Sequence, residues 1–153
     1  RIARGGDILA PGRPDDPLQV IDARDIADFV LTALASGTSG TLHMVGGSGT
    51  YTFGELLADI RAGVGAPEAT ITWVDNAFLL DAGETAETLP LWSQGDPTED
   101  LASTADPAAS LAAGLVPRPV ANSARDVLST SLPPDGMLTA EHEAELLERW
   151  RAR

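Results

Sequence analysis

Pro17-Leu18-Gln19-Val20-Ile21-Asp22-Ala23-Arg24-Asp25-Ile26-Ala27-Asp28-Phe29-Val30-Leu31-Thr32-Ala33-Leu34-Ala35-Ser36 changes its hydrophobic period partway along. Residues 17–22 form an apolar run of strand length. Asp22 is a good N-cap, with a second carboxylate, Asp25, three residues on. Beyond it Ile26, Val30, Ala33 and Leu34 recur at helical spacing to about residue 36, and Gly37 and Gly40 stop the run. A strand that runs directly into an amphipathic helix argues for an α/β chain.

Working outward, residues 6–10 are a second strand candidate, joined to the first by the turn-rich link Pro11-Gly12-Arg13-Pro14-Asp15-Asp16. Leu42-His43-Met44-Val45 reads as a short buried strand ended by Gly46-Gly47-Ser48-Gly49. Thr52-Phe53-Gly54-Glu55 is a capping box, and Tyr51 can staple onto Leu56. Phe53, Leu56, Leu57, Ile60 and Val64 predict the buried stripe of that helix, which Gly63, Gly65 and Pro67 end. Residues 71–74 predict another strand, and Asp75 caps a short helix through Leu80. The acidic stretch 81–103 surrounds an apolar knot, Leu89-Pro90-Leu91-Trp92. Asp106-Pro107 starts a helix that Gly114 closes. A further helix spans roughly 122–131, with Val127 and Leu128 inward. After Pro133-Pro134-Asp135-Gly136, a charged helix runs from Thr139 to Trp150, and Leu146, Leu147 and Trp150 are expected to dock on the chain's own domain.

Composition excludes several chemistries. The 153 residues carry a formal net charge of -13, so a phosphate backbone is repelled by the mean field and nucleic acid is not an expected partner. Cysteine is absent, which removes disulfides, thiol catalysis and thiolate metal sites. Lysine is absent too: all ten positive charges are arginine, so Schiff bases, P-loops and Tyr-x-x-x-Lys pairs are closed to these residues. No apolar run reaches the roughly 18 residues that read as a membrane span, and a cytoplasmic location is expected. The first residue is Arg1, and the chain reads as a piece cut from a longer one.

The segment from strand 42–45 through Gly46-Gly47-Ser48-Gly49 and helix 52–63 to strand 70–74 and Asp75 imitates a dinucleotide-binding unit. The imitation fails on its third glycine position, which is Thr52, and on Glu55, whose carboxylate would repel a diphosphate at the helix N-terminus. His43, in an apolar strand, reads as a hydrogen-bonded core or pocket residue. His142, in a charged helix, reads as solvated. With two distant imidazoles and no cysteine, no metal site is expected. The acidic groups Asp15-Asp16, Asp96/Glu99/Asp100 and Glu141/Glu143/Glu145 lack calcium-loop spacing and read as solvated surface.

Residues 1–132, taken in order, resemble the C-terminal half of the extended short-chain dehydrogenase/reductases, the NAD-dependent epimerase/dehydratase family. Leu18 to Ala27 looks like that family's apolar strand followed by Val-x-Asp-Leu-Ala. Gly40-Thr41-Leu42-His43-Met44-Val45-Gly46-Gly47 is similar to its Gly-x-Tyr-Asn-Val-Gly-Gly strand, and Tyr51 to Leu57 to the helix that follows. Asp106 to Leu115 resembles a late Asp-x-x-Lys-Ala-x-x-x-Leu-Gly helix, and Arg118-Pro119 with the helix to Leu128 matches the closing segment. The family's Gly-x-x-Gly-x-x-Gly cofactor loop and Tyr-x-x-x-Lys pair would lie upstream of these residues. Leu18 stands near where sugar-nucleotide members carry a diphosphate-gripping arginine.

What the resemblance implies is an α/β fold: the C-terminal part of an NAD(P)-binding Rossmann-like domain plus a substrate lobe over 1–132, then a linker and charged helix over 133–153. The implied function is the substrate-binding portion of an NAD(P)-dependent epimerase/dehydratase or reductase, with NAD or NADP held by the parent enzyme. No catalytic, cofactor or metal residue is expected in the portion itself. Gln19, His43, Trp92 and Arg118 are the expected substrate-pocket residues. The expected partners are the upstream Rossmann portion, a small-molecule substrate and, through uncovered apolar faces, further copies of the chain. The alternatives are a stand-alone non-catalytic binding or interaction module, and a degenerate member with a regulatory role.

Overall fold

The computed structural model describes residues 1–46, 51–96, 104–130 and 138–153. A 3-10 turn, Ile2–Arg4, leads into strand β1, Gly6–Pro11. Helix α1 spans Ala23–Ser36 and α2 spans Phe53–Val64. Strand β2, Ala69–Val74, is followed by α3, Asn76–Asp81. Then come α4, Ala108–Ala112, α5, Val120–Leu128, and α6, Ala140–Arg151. The fold is mixed α/β, with six helices and a two-stranded sheet among the described residues. No helix there is long and apolar enough to cross a membrane.

The two strands are parallel, with Gly6 opposite Ala69 and Pro11 opposite Val74. Parallel sheets need cover on both faces, and alternation along the strands supplies two apolar sets. Leu9 and Val74 face one way and pack with Phe78 and Leu79 of α3, Leu89, Trp92, Leu138, and Leu146 and Leu147 of α6. Ile8 and Ala69 face the other way with Ile2 and Ala66, against which Leu57, Ile60 and Val64 of α2 rest. A third cluster, Leu18, Phe53 and Leu56, takes in Tyr51 and Trp73, whose ring meets Phe53 edge-on with centroids 5.7 Å apart. The docking of α6 through Leu146, Leu147 and Trp150 and the α2 stripe are as the sequence predicts.

Local hydrogen-bond signals are met. Thr52 Oγ1 accepts the Glu55 N–H while Glu55 Oε2 accepts the Thr52 N–H at 2.8 Å, completing the capping box. Asp22, Asp75 and Thr139 cap α1, α3 and α6. Gly65 alone ends α2, in the left-handed region at φ 67°. Gly63 instead lies inside the helix where α5 crosses, and a Cβ there would stand 2.2 Å from the Ala121 carbonyl oxygen.

Several expectations are corrected. Residues 17–22 and 42–45 form no ladder; the first makes one antiparallel bridge, Pro17 with Thr52. Gly46, just after the second, lies so close to the first that a Cβ on it would stand 2.1 Å from the Val20 carbonyl oxygen. Helix α1 turns Asp25 and Phe29 inward and leaves Val30, Leu31 and Leu34 43%, 67% and 75% exposed. Val127 and Leu128 of α5 are exposed too, on an open surface and not in a packed core. The last helix of the 81–130 region begins at Val120 and ends at Leu128, and the Pro133–Gly136 turn lies outside the described residues. Helix α4 begins one residue later than Asp106-Pro107 implies, although Asp106 still accepts the Ala108 N–H at 2.8 Å.

Glu143 overturns the reading of the acidic tail as solvated surface. It is 1% exposed, and its carboxylate accepts the Leu9 N–H at 2.9 Å as well as the guanidiniums of Arg1 and Arg4. Arg1 also donates to the Leu9 carbonyl oxygen. The Gly12 N–H bonds to the Val74 carbonyl, which in a parallel ladder turns the Leu9 backbone groups away from β2. Glu143 and Arg1 therefore satisfy the outer edge of β1 as a neighbouring strand would, and Pro11 withholds a further donor there. His142, expected in solvent, sits 2.7 Å from the buried Glu84.

Candidate functional site

A cleft of about 750 Å3 opens between β1, α2, α5 and residues 20–22. Its walls are apolar: Ile8 and Ala10 from the sheet, Leu56, Leu57 and Ile60 from α2, Val120 and Val127 from α5, and Leu89 and Leu91 from the link after α3. This composition follows from the fold, because the α2 stripe is wider than the two-stranded sheet it covers. Leu91 adopts φ 69°, a left-handed conformation that costs a non-glycine residue about 1 kcal/mol.

One end of the cleft is polar. Arg118, in the link that enters α5, donates through Nε to Asp25 Oδ1 at 2.6 Å and through its backbone N–H to Asp25 Oδ2 at 2.8 Å. Asp22 receives Arg24 Nη2 and Ser123 Oγ, each at 2.6 Å. Those hydrogen bonds, Arg24's first and Ser123's next, hold the Asp22 carboxyl well below the usual carboxylate range. Arg24 reaches on to Asp126 at 2.7 Å. These bonds tie the start of α1 to α5, which is why Asp25 faces inward and the apolar residues of α1 face out. On the opposite wall Tyr51 donates its hydroxyl to Asp59 at 2.8 Å. Burial, and then that carboxylate, push the Tyr51 hydroxyl above its ordinary pKa, so it stays protonated at neutral pH.

The four residues expected to share a pocket are not all brought together. Arg118 lines the large cleft. Gln19 and Trp92 line a separate hollow of about 190 Å3 with Leu18, Phe53 and Leu91. There Gln19 is held by both backbone groups of Ala105, donating at 2.7 Å and accepting at 2.9 Å, and Trp92 Nε1 donates to Asn76 at 2.8 Å. His43 is exposed, and its carbonyl oxygen accepts the Ser110 hydroxyl. The residues missed by sequence reasoning are Asp22, Asp25, Tyr51, Asp59 and Ser123. The i, i+3, i+7 spacing of Asp22, Asp25 and Phe29 was the available signal for the first two.

Of the imitation dinucleotide loop, Gly47, Ser48 and Gly49 lie outside the described residues; Gly46 packs on the Val20 carbonyl, and Glu55 occupies the first turn of α2. Among the described residues no cluster of three or more His, Asp or Glu could hold a metal ion. No protein-family model matches the chain, nor does any curated protein or solved structure.

Proposed function

We propose that this chain is the substrate-side portion of an NAD(P)-dependent reductase or epimerase/dehydratase of the extended short-chain dehydrogenase type, with the cofactor and the catalytic tyrosine and lysine supplied by residues upstream. The observation that carries this reading is the uncovered apolar face of α1, where Val30, Leu31 and Leu34 stand in solvent. Contiguous apolar surface is rare on soluble monomers and marks a face that something else covers. In the resembled family this helix follows the strand-to-helix signature and packs on the Rossmann sheet, so the same residues would meet the upstream portion.

The cleft supports the reading as the place for a substrate. Its apolar walls would bind a substrate and exclude water. Arg118 and Asp25 hold the α5 wall against the start of α1, and Tyr51 holds the α2 wall.

The rival, a stand-alone binding module, draws on one observation: Glu143 and Arg1 already close the β1 edge within this chain. The intact mass of the protein purified from its native source, with the coding sequence ahead of Arg1, separates the two. A longer protein with a Gly-x-x-Gly-x-x-Gly loop and a Tyr-x-x-x-Lys pair is expected. A mass equal to these 153 residues alone would favour the module.

A further inference from the structure

The charges around the cleft bear on what it can hold. A volume of about 750 Å3 is in the range of small-molecule sites, roughly 300–1,000 Å3. Arg118, Asp22, Asp25 and Asp59 stand at its walls, and each has a partner inside the chain. Arg118 is the guanidinium at the polar end. Its charge is compensated by Asp25 at 2.6 Å, Asp28 at 3.7 Å and Asp22 at 3.8 Å, so it offers a phosphate little net attraction. Arg1, also in the lining, is already taken by the buried Glu143. The remaining wall charges are carboxylates, in a chain of net charge -13, so an anion meets repulsion. What remains open to a ligand is apolar wall plus two hydroxyls, Tyr51 and Ser123. Both already donate, to Asp59 and Asp22, and keep lone pairs that can accept.

We infer that the cleft takes an uncharged, largely apolar small molecule carrying a hydroxyl donor, such as an aromatic or alicyclic alcohol, and rejects phosphorylated ligands, nucleoside diphosphate sugars included. That this ligand is a substrate rests on the function proposed above; that it binds here does not.

The test uses two probes with one ring system, 2-naphthol and 2-naphthyl phosphate, titrated by calorimetry into the 153-residue chain. Naphthol is expected to bind at least tenfold more tightly than its phosphate. Val127→Asp, at a position on the cleft wall that is 64% exposed, should weaken naphthol binding tenfold or more. Leu34→Asp, on the exposed face of α1 outside the cleft, should leave it unchanged. Equal or tighter binding of the phosphate overturns the inference, as does no naphthol binding up to millimolar concentration. Loss of binding with Leu34→Asp but not with Val127→Asp overturns it as well, since the probe would then be on the wrong face. The two proposals fail separately. Naphthol binding as expected in a protein with no nicotinamide dependence defeats the substrate-lobe reading alone. Nicotinamide-dependent turnover of a nucleoside diphosphate sugar defeats the cleft assignment alone.

Discussion

Glu143 in the last helix accepts the backbone N–H of Leu9 in the first strand at 2.9 Å, across 134 residues of sequence. A side chain here does the work of a strand neighbour, and the Arg1 and Arg4 guanidiniums make its charge tolerable in the interior. Removing the carboxylate leaves the Leu9 N–H without its acceptor and the Arg1 guanidinium without its counter-charge. Breaking a buried pair from one side costs about 3–5 kcal/mol. Glu143→Ala is therefore expected to lower stability by about 3 kcal/mol in urea unfolding; a loss below about 1 kcal/mol would contradict the edge-sealing role.

The same carboxylate sets a pH dependence. Burial alone would raise its pKa, but Arg1, the Leu9 N–H and Arg4 outweigh burial and hold it below the ordinary 4.5. A folded-state pKa below the unfolded one contributes stability that is present above the unfolded value and lost as pH falls through the folded one. The stability of the unsubstituted chain should thus fall more steeply below about pH 4.5 than that of Glu143→Gln. Parallel pH profiles for the two would show that Glu143 does not titrate with folding.

Gly63 inside α2 and Gly65 at its C-cap should respond to alanine for different reasons. At Gly63 a Cβ would meet the backbone of Ala121 at 2.2 Å, forcing α2 and α5 apart. Overpacking of this kind costs about 1–3 kcal/mol. At Gly65 nothing lies near, but φ is 67°, and the left-handed conformation costs alanine about 1 kcal/mol. Thermal unfolding should rank Gly63→Ala below Gly65→Ala, and the reverse order would mean that the helix crossing is wrong.

The orientation of α1 is open to a paired substitution. Phe29 is buried and Leu34 is not, so Phe29→Ala should cost about 3–5 kcal/mol, whereas Leu34→Ala should stay within about 0.5 kcal/mol. Comparable losses at both positions would restore the apolar stripe that the sequence spacing implies.

Thr52→Ala removes one half of the capping box and should cost about 1 kcal/mol. An unchanged urea midpoint would show that Glu55 and solvent satisfy the end of α2 without it.

The features legible in the sequence are those whose hydrogen bonds close within three or four residues. The caps at Asp22, Thr52 and Asp75 and the Gly65 stop belong to this class, since donor and acceptor are both in view. The stripe of α2 was legible because its residues are apolar throughout. What failed were features decided by distant partners. Asp25 turns inward because Arg118 lies 93 residues away, and this rotates Val30 and Leu34 outward against their own hydrophobicity. The apolar segments 17–22 and 42–45 have strand composition, but β1 and β2 pair with each other and leave them without a ladder. Glu143 was the most readable of the misses. It stands at i, i+3, i+4 and i+7 with Leu146, Leu147 and Trp150, and so shares the stripe that docks.

The substrate-lobe account meets its most direct test in titration calorimetry of NAD and NADP, at millimolar concentration, into the 153-residue chain and into the protein at the length its native source produces. The account predicts binding only in the second, with the chain weaker than roughly 100 μM, or about 5.5 kcal/mol. Tighter binding by the chain itself, or none by the native-length protein, would contradict it.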